Sequence, residues 1–163
     1  MIKVLVLFAL SILMFVIDNF FMPFIGIGGV YPSMLLVFCI LFSIQNGKWE
    51  GMWLGVFCGL LQDLFFTNVF GLNVITNMTV CLLAGVIGTN IFKDKKILPV
   101  ASCFALSFLK GAMIFASLYI IDINMSISRI FFVSVYNMVL AFFMYRSVFD
   151  LCQKDYMQIQ WKF

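Results

Sequence analysis

The sequence predicts an all-α fold, a polytopic integral membrane bundle of about six transmembrane helices. Three observations carry that prediction. Hydrophobic residues make up 64% of the 163-residue chain and charged residues 10%, with a mean hydropathy of +1.14. A soluble domain has roughly 25% charged residues, so a water-soluble fold of this composition could not cover its own surface. The apolar stretches are separated by loops of about three to seven residues, which forces consecutive helices to run antiparallel as neighbours. Lastly, the basic residues fall almost entirely on alternate loops, the pattern of cytoplasmic loops in a bundle of even span number.

Segment one covers residues 4–24, with Lys3 ahead of it, Asp18 in its last third and Pro23 near its end. A secretory signal peptide is the competing reading, but no small-residue cleavage site follows the apolar run, so a retained span is expected. The stretch "GIGGVYPS" then punctuates the chain, with Gly26, Gly28 and Gly29 suited to a tight turn and Pro32 to the first turn of a new helix. Segment two, residues 31–44, is about 14 residues long where a span needs ~20. It is expected to tilt against its neighbours or to extend through Gln45 and Asn46, with a re-entrant segment as the alternative. Segments three to six cover residues 50–66, 73–91, 97–121 and 127–149. Residues 1–150 thus form a single transmembrane domain, and 151–163 a short polar and aromatic tail that lies along the membrane surface or is disordered.

Charge placement gives orientation. With six spans and the N-terminus in the cytoplasm, the inside receives Lys3, Lys48, Lys93, Lys95, Lys96, Arg146, Lys154 and Lys162, and the outside only Arg129, with Lys110 within a span. A five-span arrangement would put the C-terminal cations outside, and the reverse orientation would export the "KDKK" cluster. Trp49, Trp53 and Trp161 suit interfacial anchoring.

Several function classes are excluded or disfavoured. No basic stripe points to nucleic acid. Histidine is absent, which removes the commonest metal ligand and neutral-pH base. Cys39, Cys58, Cys81, Cys103 and Cys152 form no CxxC pair and read as small apolar fillers. No phosphate-cradling loop or nucleophile elbow occurs, so an enzyme, a metal site and a cofactor are not expected. Lipid is the one partner that composition itself demands.

The residues that do not belong in hydrocarbon carry the rest. Gly47, Gly51, Gly55, Gly59 and Asp63 recur every four residues, a slowly drifting stripe along segment three where another backbone can approach closely. Asp63 ends the stripe and requires a partner, since burying it unpaired would cost several kcal/mol. Its expected role is to accept hydrogen bonds, with amides of residues 70–73 and the start of segment four as candidates. Asp18 falls at similar depth. Two carboxylates there would suit cation or proton coupling, whereas interfacial solvation of Asp18, helped by Asn19, is the simpler expectation. Lys110 lies too deep to snorkel and is expected to pair inward with Asp63 or a carbonyl. Asn77, Cys81, Gly85, Ser107, Gly111, Asn137 and Ala141 mark helix–helix faces common to any bundle.

The run from Gly51 to Asn73, "GMWLGVFCGLLQDLFFTNVFGLN", resembles the signature of the bacterial rod shape-determining protein MreD family. Gly55, Gly59, Leu60, Leu61 and Asp63 match its Gly-Leu-Leu-x-Asp element, Gly71 and Leu72 its following Gly-Leu, and Pro32 its proline at the head of the second segment. The family often has an acidic residue directly after that proline, where this chain has Ser33. The resemblance implies a non-enzymatic inner-membrane scaffold of the cell-elongation machinery, helping to maintain rod shape by coordinating lateral peptidoglycan synthesis. The partners it implies are an MreC-like protein, an MreB-like actin filament, a RodA-like polymerase and a class B penicillin-binding protein. It also implies a fold similar to the substrate-binding subunits of energy-coupling-factor transporters. The competing function is a small-molecule-binding membrane subunit of a transporter, with a pocket lined by Asp18, Asp63, Asn73 and Asn77.

Overall fold

A computed structural model describes residues 2–26, 29–66, 70–90, 97–120 and 127–158. The "KDKK" cluster at 93–96, Trp161 and Lys162 lie outside the described residues. The elements run α1 (Ile2–Phe20), α2 (Met22–Ile25), α3 (Met34–Asn46), α4 (Lys48–Phe66), α5 (Leu72–Asn90), α6 (Ile97–Ile120), α7 (Ile127–Cys152) and α8 (Asp155–Gln158).

Segment one is not a continuous helix. It breaks after Phe20, and α2 restarts with Pro23 in its first turn, where a missing N–H costs nothing. Pro32 also falls differently from the sequence expectation. It precedes the helix rather than opening it, because Ser33 is the N-cap and its Oγ accepts from Leu36 N at 3.2 Å. At the other end of α3, Gly47 has φ +99°. This is a backbone setting that glycine adopts freely, and it lets α4 start one residue later. Gly47 is therefore a turn residue and not the first member of the α4 stripe.

The short α3 is the axis of the bundle. Its residues from Leu35 to Ile44 are all buried, and it packs against α1, α4, α5, α6 and α7. An unbroken apolar run with no polar face is what a helix surrounded by other helices requires. At 13 residues it is about 20 Å long, short of the ~30 Å hydrocarbon core. Four other helices, α1, α5, α6 and α7, are long and apolar enough to cross a membrane. α4 matches them in length, but Lys48, Glu50 and Asp63 interrupt its apolar run.

α4 and α5 form the most intimate pair, and the glycines explain it. A Cβ on Gly59 would stand 2.5 Å from Val74 Cα and 2.7 Å from Asn73 O, and one on Gly55 2.8 Å from Asn77 O. Gly51 faces Ser43 of α3 in the same way, while Gly85 and Gly88 on α5 meet the backbone of Lys48 and Ile44. The stripe is thus spent inside the protein, where small residues let helix backbones touch.

The two ends of the bundle differ chemically. At one end Lys3 Nζ lies 2.7 Å from Glu50 Oε2 and 2.8 Å from Oε1, with side chains 5% and 7% exposed. Asn46 donates to Glu50 at 3.0 Å and to the carbonyl of buried Met157 in α8 at 3.4 Å. The start of α1, the α3–α4 turn and α8 therefore meet at this end, and Trp49 and Trp53 stand exposed there. At the opposite end sit Asp18, Ser33, Asp63 and the α4–α5 turn.

Candidate functional site

Asp63 is 4% exposed in the last turn of α4, and the first turn of α5 is aimed at it. Its Oδ2 accepts from Gly71 N and Val74 N, both at 3.0 Å, and its Oδ1 from Asn73 N at 3.1 Å and Asn73 Nδ2 at 3.0 Å. The first N–H groups of a helix have no partner within it, and they carry the positive end of its dipole. A carboxylate answers both. The turn can place these amides because Gly71 adopts φ +94°, a setting unfavourable for other residues.

Asp18 does the same for α3. Its Oδ1 accepts from Met34 N at 2.6 Å, and its Oδ2 from Ser33 Oγ at 2.9 Å and Leu35 N at 3.0 Å. The expectation of simple interfacial solvation is corrected accordingly, and Asn19 turns back to Phe15 O at 2.7 Å. Ser33, where the resemblance led us to look for an acid, holds a cap whose negative charge arrives from α1 instead. Two helix N-termini at one end of the bundle are thus each held by a carboxylate from a preceding helix.

Between these caps runs a belt of polar groups. Lys110 is 7% exposed and donates to Gln62 Oε1 at 3.1 Å, which also accepts from Asn77 Nδ2 at 3.0 Å. The expected pairing of Lys110 with Asp63 or a carbonyl is replaced by this bond to the side chain one residue earlier, because the amides of α5 occupy the carboxylate. Asn137, fully buried, accepts from Ser33 N at 2.9 Å and donates to Ser107 Oγ at 3.2 Å. The belt ties α4, α5 and α6 through Gln62, and α3, α6 and α7 through Asn137.

The remaining matched positions are peripheral to these bonds. Leu60 is 38% exposed on the outer side of α4, Leu72 is half-buried as the first residue of α5, and Pro32 is buried ahead of Ser33. Ser33, Gln62, Ser107 and Asn137 escaped the sequence reading as members of this network, as did the Lys3–Glu50 pair at the other end of the bundle. Ser33 alone had a local signal, a serine directly before an apolar run. The pocket expected from Asp18, Asp63, Asn73 and Asn77 does not form as such, since Asp63 binds Asn73 and Asn77 binds Gln62. One cavity of about 450 Å³ is lined instead by Asp18, Asn19, Tyr31 and Gln62 among others. A second, of about 200 Å³, includes Gln62, Ser107, Lys110 and Arg129.

None of the five cysteines forms a disulfide, and among the described residues no group of three or more His, Cys, Asp or Glu is placed to hold a metal. The polar side chains cap helices and brace them against one another, which defines a multi-pass membrane protein built around internal structural locks. The family model described as rod shape-determining protein MreD matches residues 1–155, and the chain belongs to that family of non-catalytic membrane proteins. Comparison with curated proteins and with solved structures gives no match.

Proposed function

We propose that this protein is a non-enzymatic inner-membrane scaffold of the cell-elongation machinery, holding an MreC-like partner so that lateral peptidoglycan synthesis is coordinated and rod shape maintained. The family match over residues 1–155 carries the reading, and family membership brings elongation-machinery partners with it. The MreB-like filament, RodA-like polymerase and class B penicillin-binding protein belong to the same proposal. Six crossing segments with both termini in the cytoplasm fit it best. The eight-to-one bias of basic residues supports that topology, as does the meeting of Lys3, the α3–α4 turn and α8 at one end.

A transporter subunit binding a small molecule is the second reading, favoured by the 450 Å³ cavity beside Asp18. Commitment of the Asp18 oxygens to the α3 cap places it second. Depletion of the protein in its own cells distinguishes the two. Rounding of rods, with loss of the MreC-like protein from pull-downs, is the expected result. Unchanged shape with loss of uptake of a nutrient would transfer the case to the transporter. Labelling of a cysteine introduced at position 95 from outside intact cells would overturn the topology.

A further inference from the structure

The 200 Å³ cavity between α3, α4, α6 and α7 has a one-sided chemistry. Lys110 and Arg129 both line it, Gln62 and Ser107 add an amide and a hydroxyl, and among the described residues no acidic side chain lines it. An ammonium carries three donors. One goes to Gln62, and the described residues offer the others no hydrogen-bond partner. The nearby side-chain acceptors mostly have donors of their own, and Asn77 Oδ1, beside Gln62, is buried without one yet makes no bond to Lys110. Gln62 Oε1 receives two donors, Asn137 Oδ1 receives Ser33 N, and Asp18 and Asp63 hold helix N-termini. Neither Asp18 nor Asp63 lines this cavity. Arg129 makes no ion pair among the described residues.

Depth matters as much as charge. Gln62 stands four residues before the end of α4 at Phe66, and the fourth residue of α7, Ile130, packs on Gly111 beside Lys110. The ammonium therefore sits about one turn, ~6 Å, from the end of α4 and the start of α7, nearer that end of the bundle than its place midway along α6 led one to expect. The walls below the donors, including Leu36 and Val133, are apolar, and the cavity is not sealed from its surroundings. A site of this size takes a small head group while any attached chain remains outside it.

We propose that this cavity binds a phosphate group through Lys110, Arg129 and Gln62, its apolar walls suiting a phosphate carried by a lipid of the adjoining leaflet. The site is independent of the scaffold reading. Its test uses the full chain in maltoside micelles, with the melting temperature followed by tryptophan fluorescence. The probes are dihexanoyl phosphatidic acid, dihexanoylglycerol with the same chains and no phosphate, and inorganic phosphate. Phosphatidic acid is expected to raise the melting temperature saturably, and dihexanoylglycerol not to. Arg129→Gln, at an exposed position, should weaken binding about tenfold or more, the scale of one charge-assisted hydrogen bond. Lys110→Met should abolish it. A matching effect of inorganic phosphate supports the site and makes its ligand the free anion, whereas an effect of phosphatidic acid alone makes it the lipid. No shift from either phosphate probe, an equal shift with dihexanoylglycerol, or unchanged affinity in Arg129→Gln would overturn the proposal.

Discussion

Replacing Asp63 tests whether its carboxylate is a structural cap or a carrier of charge. Asp63→Leu removes the acceptor for Gly71 N, Asn73 N, Val74 N and Asn73 Nδ2 at once. An unpartnered buried donor costs about 1–3 kcal/mol. The α5 amides are half-buried, so the low end applies to each, and the loss comes to about 3–5 kcal/mol. That is a large share of the ~5–15 kcal/mol by which native proteins are stable, and corresponds to a drop of roughly 10 °C in melting temperature for a chain of this size. Asp63→Asn keeps one oxygen, enough for about half of the four bonds, and should lose roughly 5 °C. The assay is thermal unfolding of purified protein, run beside rescue of rod shape in depleted cells with membrane-inserted protein quantified. A structural cap requires activity to follow stability through the series wild type, Asn, Leu. If Asn and Leu variants insert and melt like wild type yet are equally inactive, the charge itself is needed and the capping account is wrong. Full rescue by Leu would show that the cap is dispensable.

The other cap, the glycine stripe and the buried ion pair give three further tests. Asp18→Ala should destabilise by about 2–3 kcal/mol by freeing the Met34 and Leu35 amides, and adding Ser33→Asp should recover part of that loss, because an aspartate at an N-cap can serve the same helix. Chemical unfolding of the single and double variants measures the recovery. Gly59→Leu and Gly55→Leu should sharply lower the amount of membrane-inserted protein, while Leu54→Ile, a volume-conserving change in a buried position, should cost less than about 1.5 kcal/mol; equal levels of all three would contradict close α4–α5 packing. Lys3→Met alone should cost about 3–5 kcal/mol by taking the counter-charge from the buried Glu50 carboxylate, and Lys3→Met with Glu50→Met should regain most of it, as thermal melts of the three proteins would show.

What the sequence reveals about this fold divides along a physical line. Helix type and approximate ends follow from apolar runs and breakers, which are local properties, and α4, α5 and α6 begin and end within two residues of their expected limits. The stripe ending in Asp63 is legible because four-residue spacing maps directly onto one helix face. Contacts between distant segments are not encoded in spacing. Nothing in the sequence ties Asp18 to Ser33, fifteen positions away, or Ser33 to Asn137. The central place of α3 has a signal that length obscured. Its run is too short for an ordinary span, yet it has no polar side at all, and only a helix enclosed by others can be apolar all round. Lys110 shows the remaining difficulty, since choosing between Asp63 and its neighbour Gln62 requires knowing that α5 has already claimed the carboxylate.

The same accounting narrows where partner proteins can be held. Within hydrocarbon, an apolar helix gains little by leaving lipid for another apolar surface, so association rests on close packing and on hydrogen bonds. Here Gly51, Gly55 and Gly59 are already filled by α3 and α5, and the oxygens of Asp18 and Asp63 by helix amides. A variant at any of these positions acts first on the bundle and only through it on assembly, so loss of a partner there would not map an interface. Among the described residues, exposed apolar side chains remain on α1, at Leu5 and Leu13, and on α7, at Phe132, Phe142 and Phe143, whereas Phe8 and Phe131 already stack against Phe57 and Phe104. Substitutions that change the shape of those exposed rings without touching the caps are the ones able to separate binding from folding.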